Sequence, residues 1–408
     1  MTTMNLRTLI TAGTAFLLSM AASGAVPALN PELSEQATIS LLTCSAGEEI
    51  YELFGHTGIR VQEPGQYDIV VNYGLFDFEQ DHFIGRFVKG ETDYRVGYAN
   101  TYWFLRSYRE RGSAVTETPL LLTQEQKQEL WSALLRNMLP ENRVYRYNFV
   151  FNNCATKPRD LIEAALGPSL RLQDGVSEYT FRDAIRLYTR QADWSQLGFD
   201  ICLGAGTDRL ATRHELMFLP EKLNEALQQA SVTDETGNQS PLTAPSAELF
   251  PATLEQRAAP FSPKAAASSL LLLLAIASTA SYARNRPLRG IDAALFGVAG
   301  LLGLVVTFLT GWSEHPFTGA NWNLVWLNPL YFYPLLSLSI PPLRRCDKWF
   351  YRVVCAILTV FLISMQFLPQ SFHPSMSLWV GCLWLRSAFR TLLDTWPPQT
   401  AGTAPEAH

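Results

Sequence analysis

Cys154 stands in Phe151-Asn152-Asn153-Cys154-Ala155-Thr156-Lys157-Pro158-Arg159-Asp160, after a strand-like run and where a helix is expected to begin. A thiol at a helix N-terminus faces unpaired backbone N–H groups and the positive end of the helix dipole, which both favour thiolate. The same N–H groups could hold a developing oxyanion. A disulfide partner or an inert buried thiol is the plainer reading of the same residue. His56 lies in Leu53-Phe54-Gly55-His56-Thr57-Gly58-Ile59-Arg60-Val61, at the mouth of an expected strand and flanked by glycines. A neutral imidazole there could take a proton from a thiol about 3 Å away and return it to a leaving group. Otherwise it is a strand-end histidine satisfied by backbone. Asn72 falls on the next strand. If the two strands form a hairpin, its carbonyl can face His56 and fix the imidazole tautomer without adding charge, in the Cys-His-Asn form of the triad. Otherwise it only starts a turn before Gly74. His82, in Glu79-Gln80-Asp81-His82, reads as solvated, and His214, beside Glu215, as structural.

Other chemistries are excluded or weaker. There is no Cys-x-x-Cys pair, no His-Glu-x-x-His and no Gly-rich phosphate loop, so neither a metal nor a nucleotide cofactor is expected. Three of the six cysteines, Cys44, Cys154 and Cys202, precede the long apolar runs, and Cys44 and Cys202 could bridge. Cys346, Cys355 and Cys382 read as packing residues. Between two apolar runs, Glu314, His315, Asn321 and Asn323 lie among Trp312, Trp322 and Trp326. Polar groups at a bilayer surface are costly if inserted and unpaired, which makes them candidate substrate-binding residues together with Asn153. A well-solvated turn is the alternative, and the tryptophans suit an interfacial belt.

The elements that would position these groups follow from pattern. Ile59-Arg60-Val61 and Tyr67 to Gly74 are β-branched and aromatic around Pro64-Gly65, which predicts a hairpin. Thr123 with Gln126 predicts a capped helix start, with Leu130, Trp131, Leu134, Leu135 and Met138 on one face. The helix after Cys154 should stop at Gly167-Pro168.

The chain of 408 residues divides by composition. Residues 1–262 carry 22 Lys/Arg and 32 Asp/Glu, a net of −10; residues 263–408 carry 10 and 5, a net of +5. The acidic half argues against a nucleic-acid binder, and the apolar runs argue against one soluble globule. Arg7, an apolar run over 8–22 and small residues before position 26 read as a signal peptide over 1–25. An exported domain would span 26–230, and a Ser/Thr/Pro/Ala-rich linker 231–262. A membrane domain would span 263–396, with about five transmembrane helices near 265–283, 291–311, 322–340, 351–368 and 375–393, and a disordered cytoplasmic tail 397–408. Arg284, Arg286 and Arg289, then Arg344, Arg345, Lys348 and Arg352, alternate with loops lacking Lys and Arg. That alternation places residues 26–262 outside and the C-terminus in the cytoplasm.

Together these residues resemble the Lnb-type lipoprotein N-acyltransferases. The stretches that carry the likeness are Leu41 to Tyr51, Phe54 to Val61, Asn72 to Phe78 and Asn152 to Thr156, with Phe218-Leu219-Pro220 and the His315…Asn321-Trp322-Asn323 loop. The resemblance implies an α+β exported domain of permuted papain-like, lecithin–retinol-acyltransferase-like fold, followed by the all-α membrane domain. It implies Cys154 as nucleophile and His56 as base; Asn72 is placed by the hairpin argument alone. The implied activity moves an acyl chain from a membrane phospholipid, through a Cys154 thioester, to the N-terminal amine of a diacylglyceryl-cysteine lipoprotein. The setting would be the bacterial inner membrane, with the catalytic domain on the periplasmic face. A membrane-tethered cysteine peptidase or amidase acting on cell-wall peptide, and a non-enzymatic membrane scaffold, are the alternatives.

Overall fold

In the computed structural model, residues 29–76, 82–255 and 259–395 are described. The expected signal peptide and the cytoplasmic tail lie outside these residues. The chain divides into two compact units. The first comprises Met1–Gln191, Arg209–Arg257 and Ser313–Pro316; the second comprises Ala192–Asp208, Ala258–Trp312 and Phe317–His408.

The first unit is built on a seven-stranded antiparallel sheet. Its strands are β1 (Thr38–Cys44), β2 (His56–Glu63), β3 (Tyr67–Leu75), β4 (Asp93–Asn100), β5 (Val115–Pro119), β6 (Val144–Arg146) and β7 (Ala247–Phe250), in the spatial order β7-β5-β1-β2-β3-β4-β6. The expected hairpin is β2–β3, closed at Glu63–Gln66 with Gly65 at φ +74°. Its register sets Gly58 opposite Asn72, while β1 sets Cys44 opposite His56. Directly paired residues share a face and side chains alternate with a period of two. Cys44, His56 and Asn72 therefore point to one side of the sheet. Gly55 makes the entry to β2 possible: at φ +73°, a β-carbon there would stand 2.4 Å from the Cys44 carbonyl oxygen.

Each face has its own core. On the His56 face, Leu42, Cys44, Val70 and Val115 pack with Phe104 and Tyr108 of helix α1 (Thr101–Glu110). On the other, Leu41, Ile59, Val61, Ile69 and Val71 pack with Leu130, Trp131 and Leu134 of α2 (Gln124–Met138) and Ile162 of α3 (Thr156–Leu166). The Thr123–Gln126 capping box is present at the start of α2. Residues 231–262, expected as a linker, instead hold three strands. Ser231–Thr233 and Gln239–Pro241 form a small sheet with Leu170–Arg171, and β7 completes the edge of the large sheet beside β5. The strands are only three or four residues long, and Gln239–Pro241 is exposed along its length, so composition alone resembled a tether.

The second unit is helical. α4 (Asp193–Cys202) belongs to it, as do α5 (Pro263–Ala283), α6 (Arg289–Trp312), α7 (Asp347–Ser364) and α8 (Met376–Thr395). Among the described residues, three helical stretches are long and apolar enough to cross a membrane: Pro263–Ala283, Arg289–Trp312 and Pro341–Phe367. The expected span over 322–340 is not one helix. It consists of the 3₁₀ turns Trp322–Val325 and Pro329–Phe332 and the short helix Tyr333–Ser339. Asn321 and Asn328 cap new turns within it, and Pro329 and Pro334 have no N–H to continue one helix. Phe296, Tyr331, Tyr351, Leu358 and Val380 form the inner core, while Leu272, Leu273, Ile276, Val298 and Val360 point outward. Outward apolar side chains are what a lipid surround demands. The buried charges in these helices are paired: Arg386 meets Asp292 at 2.7 Å and Ser278 at 2.6 Å, and Arg390 meets Asp347 at 3.0 Å.

Candidate active site

A five-residue knot delivers Cys154. Asn148 and Asn152 exchange backbone hydrogen bonds of 3.1 and 2.9 Å, and the Asn148 carboxamide accepts from the N–H groups of Val150 and Phe151. Asn153 then fixes the helix start. Its Oδ1 accepts from the N–H groups of Ala155 and Thr156, both at 2.9 Å, and its Nδ2 donates to the carbonyls of Phe149 and Phe218 at 2.7 and 2.8 Å. Every hydrogen-bonding position of that carboxamide is spent on the chain itself. Asn153, expected to bind substrate, is therefore a builder of the turn.

The half-buried Cys154 thiol reaches the strand end that carries His56, where the Thr57 backbone N–H donates to its sulfur. His56 Nε2 lies 3.2 Å from Asn72 Oδ1, and Asn72 Nδ2 donates to the Val70 carbonyl at 3.1 Å. That second bond fixes which end of the amide faces the ring. Oδ1 can only accept, so Nε2 carries the imidazole proton and Nδ1 keeps its lone pair. Tyr108 stacks beside the imidazole, with centroids 6.3 Å apart and planes 16° from parallel. The Arg111 guanidinium lies 4.1 Å from the Tyr108 centroid and pairs with Glu52. Cys44 is buried next to this group, and the Tyr108 hydroxyl donates to its sulfur.

The electrostatics differ from the helix-terminus expectation. Burial pushes the Cys154 thiol up to about 11, partly opposed by the N–H groups of Thr57 and of Cys154 itself. Burial pulls His56 down to about 4; the Asn72 bond opposes this and the Arg111 charge adds to it. The resting pair is a neutral thiol and a neutral imidazole. The helix start does not ionise the sulfur because Asn153 has taken the N–H groups of Ala155 and Thr156.

The remaining candidates lie in structural bonds. Glu314 pairs with Arg146 at 3.0 Å, and His315 Nε2 donates to the Phe87 carbonyl at 2.6 Å. Both anchor the tetrapeptide Ser313–Pro316 within the first unit. In the second unit, Asn321 donates to the carbonyls of Ile201 and Cys202, and Asn323 to those of Asp200 and Ile201, so together they close the C-terminal end of α4. Asn321 and Asn323 are buried, while the Glu314 side chain stays exposed. His82 is exposed, and His214 bonds Glu163 at 2.8 Å. Cys44 and Cys202 are free thiols. Sequence reasoning missed Tyr108 and the Thr57 N–H. A tyrosine on an amphipathic helix reads as core, and a backbone donor has no side-chain signal.

Aromatic rings run from the surface toward this group. Exposed Tyr51 meets Phe76 at 5.6 Å, Phe76 meets Tyr94 at 5.1 Å, and Tyr94 stacks on Tyr147 at 4.2 Å. Residues 33–191 match the family description Lnb N-terminal periplasmic domain, and residues 255–395 match Lnb transmembrane domain. Searches among curated proteins and among solved structures return no match. The first match ends where the first stretch of the sheet unit ends, and the second covers all four long helices that follow it. With both halves described by one family, and in that order, the chain belongs to the Lnb family, as an inner-membrane protein with a periplasmic domain.

Proposed function

We propose that this protein is a thiol acyltransferase that moves a fatty acyl chain from a membrane phospholipid to the N-terminal amine of a diacylglyceryl-cysteine lipoprotein. The observation that carries the reading is that the Cys154 sulfur takes up the N–H of Thr57, the residue next to His56, whose tautomer Asn72 fixes, in a chain that also carries membrane-spanning helices. The order, His56 on a strand and Cys154 later at a helix start, suits a circularly permuted papain-like arrangement. In this reading the catalytic unit lies on the periplasmic face and the C-terminus in the cytoplasm.

The reaction has two halves. His56 Nδ1 takes the Cys154 proton as the sulfur attacks the ester carbonyl of the phospholipid. The ester C–O bond breaks, the leaving alkoxide takes the proton from His56, and lysophospholipid departs from an acyl thioester. The lipoprotein amine then attacks the thioester. Its proton goes to His56, the C–S bond breaks, and the thiolate recovers the proton. Because both groups rest neutral, proton removal and attack are concerted, as general-base catalysis rather than a preformed ion pair. The aromatic run from Tyr51 to Tyr147 offers an apolar wall for the acyl chain. Holding two lipid-anchored reactants at one surface lowers the entropic cost of joining them.

Cells carrying Cys154→Ser or His56→Ala as their only copy should yield lipoprotein N-terminal peptides with a diacylglyceryl group and a free amine, read by mass spectrometry. Peptides that remain N-acylated at the normal level in either strain contradict the proposal. Wild-type protein that releases free fatty acid without acylating the amine points to water as acceptor and to the hydrolase reading.

A further inference from the structure

We propose that Tyr145 is a catalytic residue of this acyl transfer, its phenol donating a hydrogen bond to the acyl carbonyl oxygen as that atom becomes an oxyanion. The inference rests on the reading of Cys154 as nucleophile. It starts from a hydroxyl with nothing to bond. Tyr145 is the central residue of β6, paired with Tyr94 of β4, and its Oη is buried with no hydrogen-bond partner among the described residues. The Gly74 N–H beside this oxygen can only donate to it, so the O–H proton has no acceptor among the described residues. A buried donor left unmet costs stability, and such a cost marks a place where a ligand completes the bond.

The space in front of the phenol is beside the thiol. Gly74 sits at φ +87°, and a β-carbon placed on it would lie 3.7 Å from Cys154 Cβ, 3.8 Å from Tyr147 Cε2 and 4.0 Å from Tyr145 Oη. These are ordinary contacts, so the room over Gly74 is methyl-sized, bounded by the nucleophile's side chain and the phenol. An acyl group on the Cys154 sulfur would enter that room. The other donors nearby are committed. The N–H groups of Ala155 and Thr156 bond Asn153, and those of Thr57 and Cys154 face the sulfur. Burial and the neighbouring Cys154 hold the phenol protonated well above the usual range, so it stays a donor. The Lys157 ammonium, 5.0 Å from the ring centroid, holds the ring in place. No proton is transferred: the O–H bond stays intact while the carbonyl C–O π bond opens and re-forms.

The test uses full-length protein in phosphatidylethanolamine proteoliposomes, with no amine acceptor, and follows acylation of Cys154 by intact mass. Removing one oxyanion donor costs about 100- to 1000-fold in rate. Tyr145→Phe should slow the acylation step by that factor, leave the half-saturating lipid concentration within about twofold, and leave Tm equal or higher because the orphan hydroxyl is gone. Acylation of Tyr145→Phe at the wild-type rate overturns the proposal. So does a rate loss accompanied by a matching fall in Tm, which marks a packing role. If wild-type Cys154 never carries an acyl group, the nucleophile reading fails and takes this one with it. If wild-type is acylated and Tyr145→Phe is acylated as fast, this inference alone fails.

Discussion

Burial sets the protonation of the two reacting groups, with the thiol pushed up to about 11 and the imidazole pulled down to about 4. Between those values neither is charged. Alkylation of Cys154 by iodoacetamide should therefore be slow at pH 7 and climb toward about pH 11 as thiolate forms. A thiolate–imidazolium pair would instead give a plateau already reached below pH 7, and that profile would count against the neutral pair. The sign follows from the groups: an acid whose pKa is raised keeps its proton longer, and a base whose pKa is lowered stays unprotonated further into acid. The residue types of this site were legible because Cys, His and Asn each offer something distinct, a nucleophile, a proton carrier and a neutral acceptor. Their protonation was not. The position of Cys154 ahead of a helix is visible in the sequence, but the capture of that helix's N–H groups by Asn153 depends on a folded turn.

At the scale of elements, register and turns decide what meets what. Pro64-Gly65 between two β-branched runs made the β2–β3 hairpin readable, and the period of two then put Asn72 on the face of His56. The Asn148–Asn153 turn was not readable, because a run of asparagines gives no sign of which carbonyls it will bond. The Asn153 side chain makes four hydrogen bonds, two of them to the carbonyls of Phe149 and of the distant Phe218. Asn153→Ala should cost about 2–4 kcal/mol of stability, from the lost helix cap and the two stranded carbonyls. Thermal unfolding reads this directly. An unchanged Tm with weaker lipid saturation would show a substrate contact instead.

For the whole molecule, composition separated the acidic sheet unit from the basic helical one. It did not show that residues 192–208 belong with the helices, or that Ser313–Pro316 belongs with the sheet, since these are long-range associations of short segments. Hydropathy found the long helices but overran 322–340, where the asparagine caps and prolines within an apolar run decide the structure. The helical unit depends on its internal ion pairs. Asp292→Leu would leave Arg386 buried without its carboxylate and should cost about 3–5 kcal/mol, seen as a lower Tm in detergent. Asp292→Leu with Arg386→Leu should recover most of that loss. Equal stability of the single variant and the wild type would mean that the pair holds nothing together.

The chemistry itself is tested most directly by weighing the protein after exposure to phospholipid without an amine acceptor. Wild-type protein should gain the mass of one acyl chain, mapped to Cys154 and released by hydroxylamine, with no such gain in Cys154→Ser or His56→Ala. An unmodified Cys154 under turnover conditions, or an acyl group carried elsewhere and indifferent to His56, would contradict it.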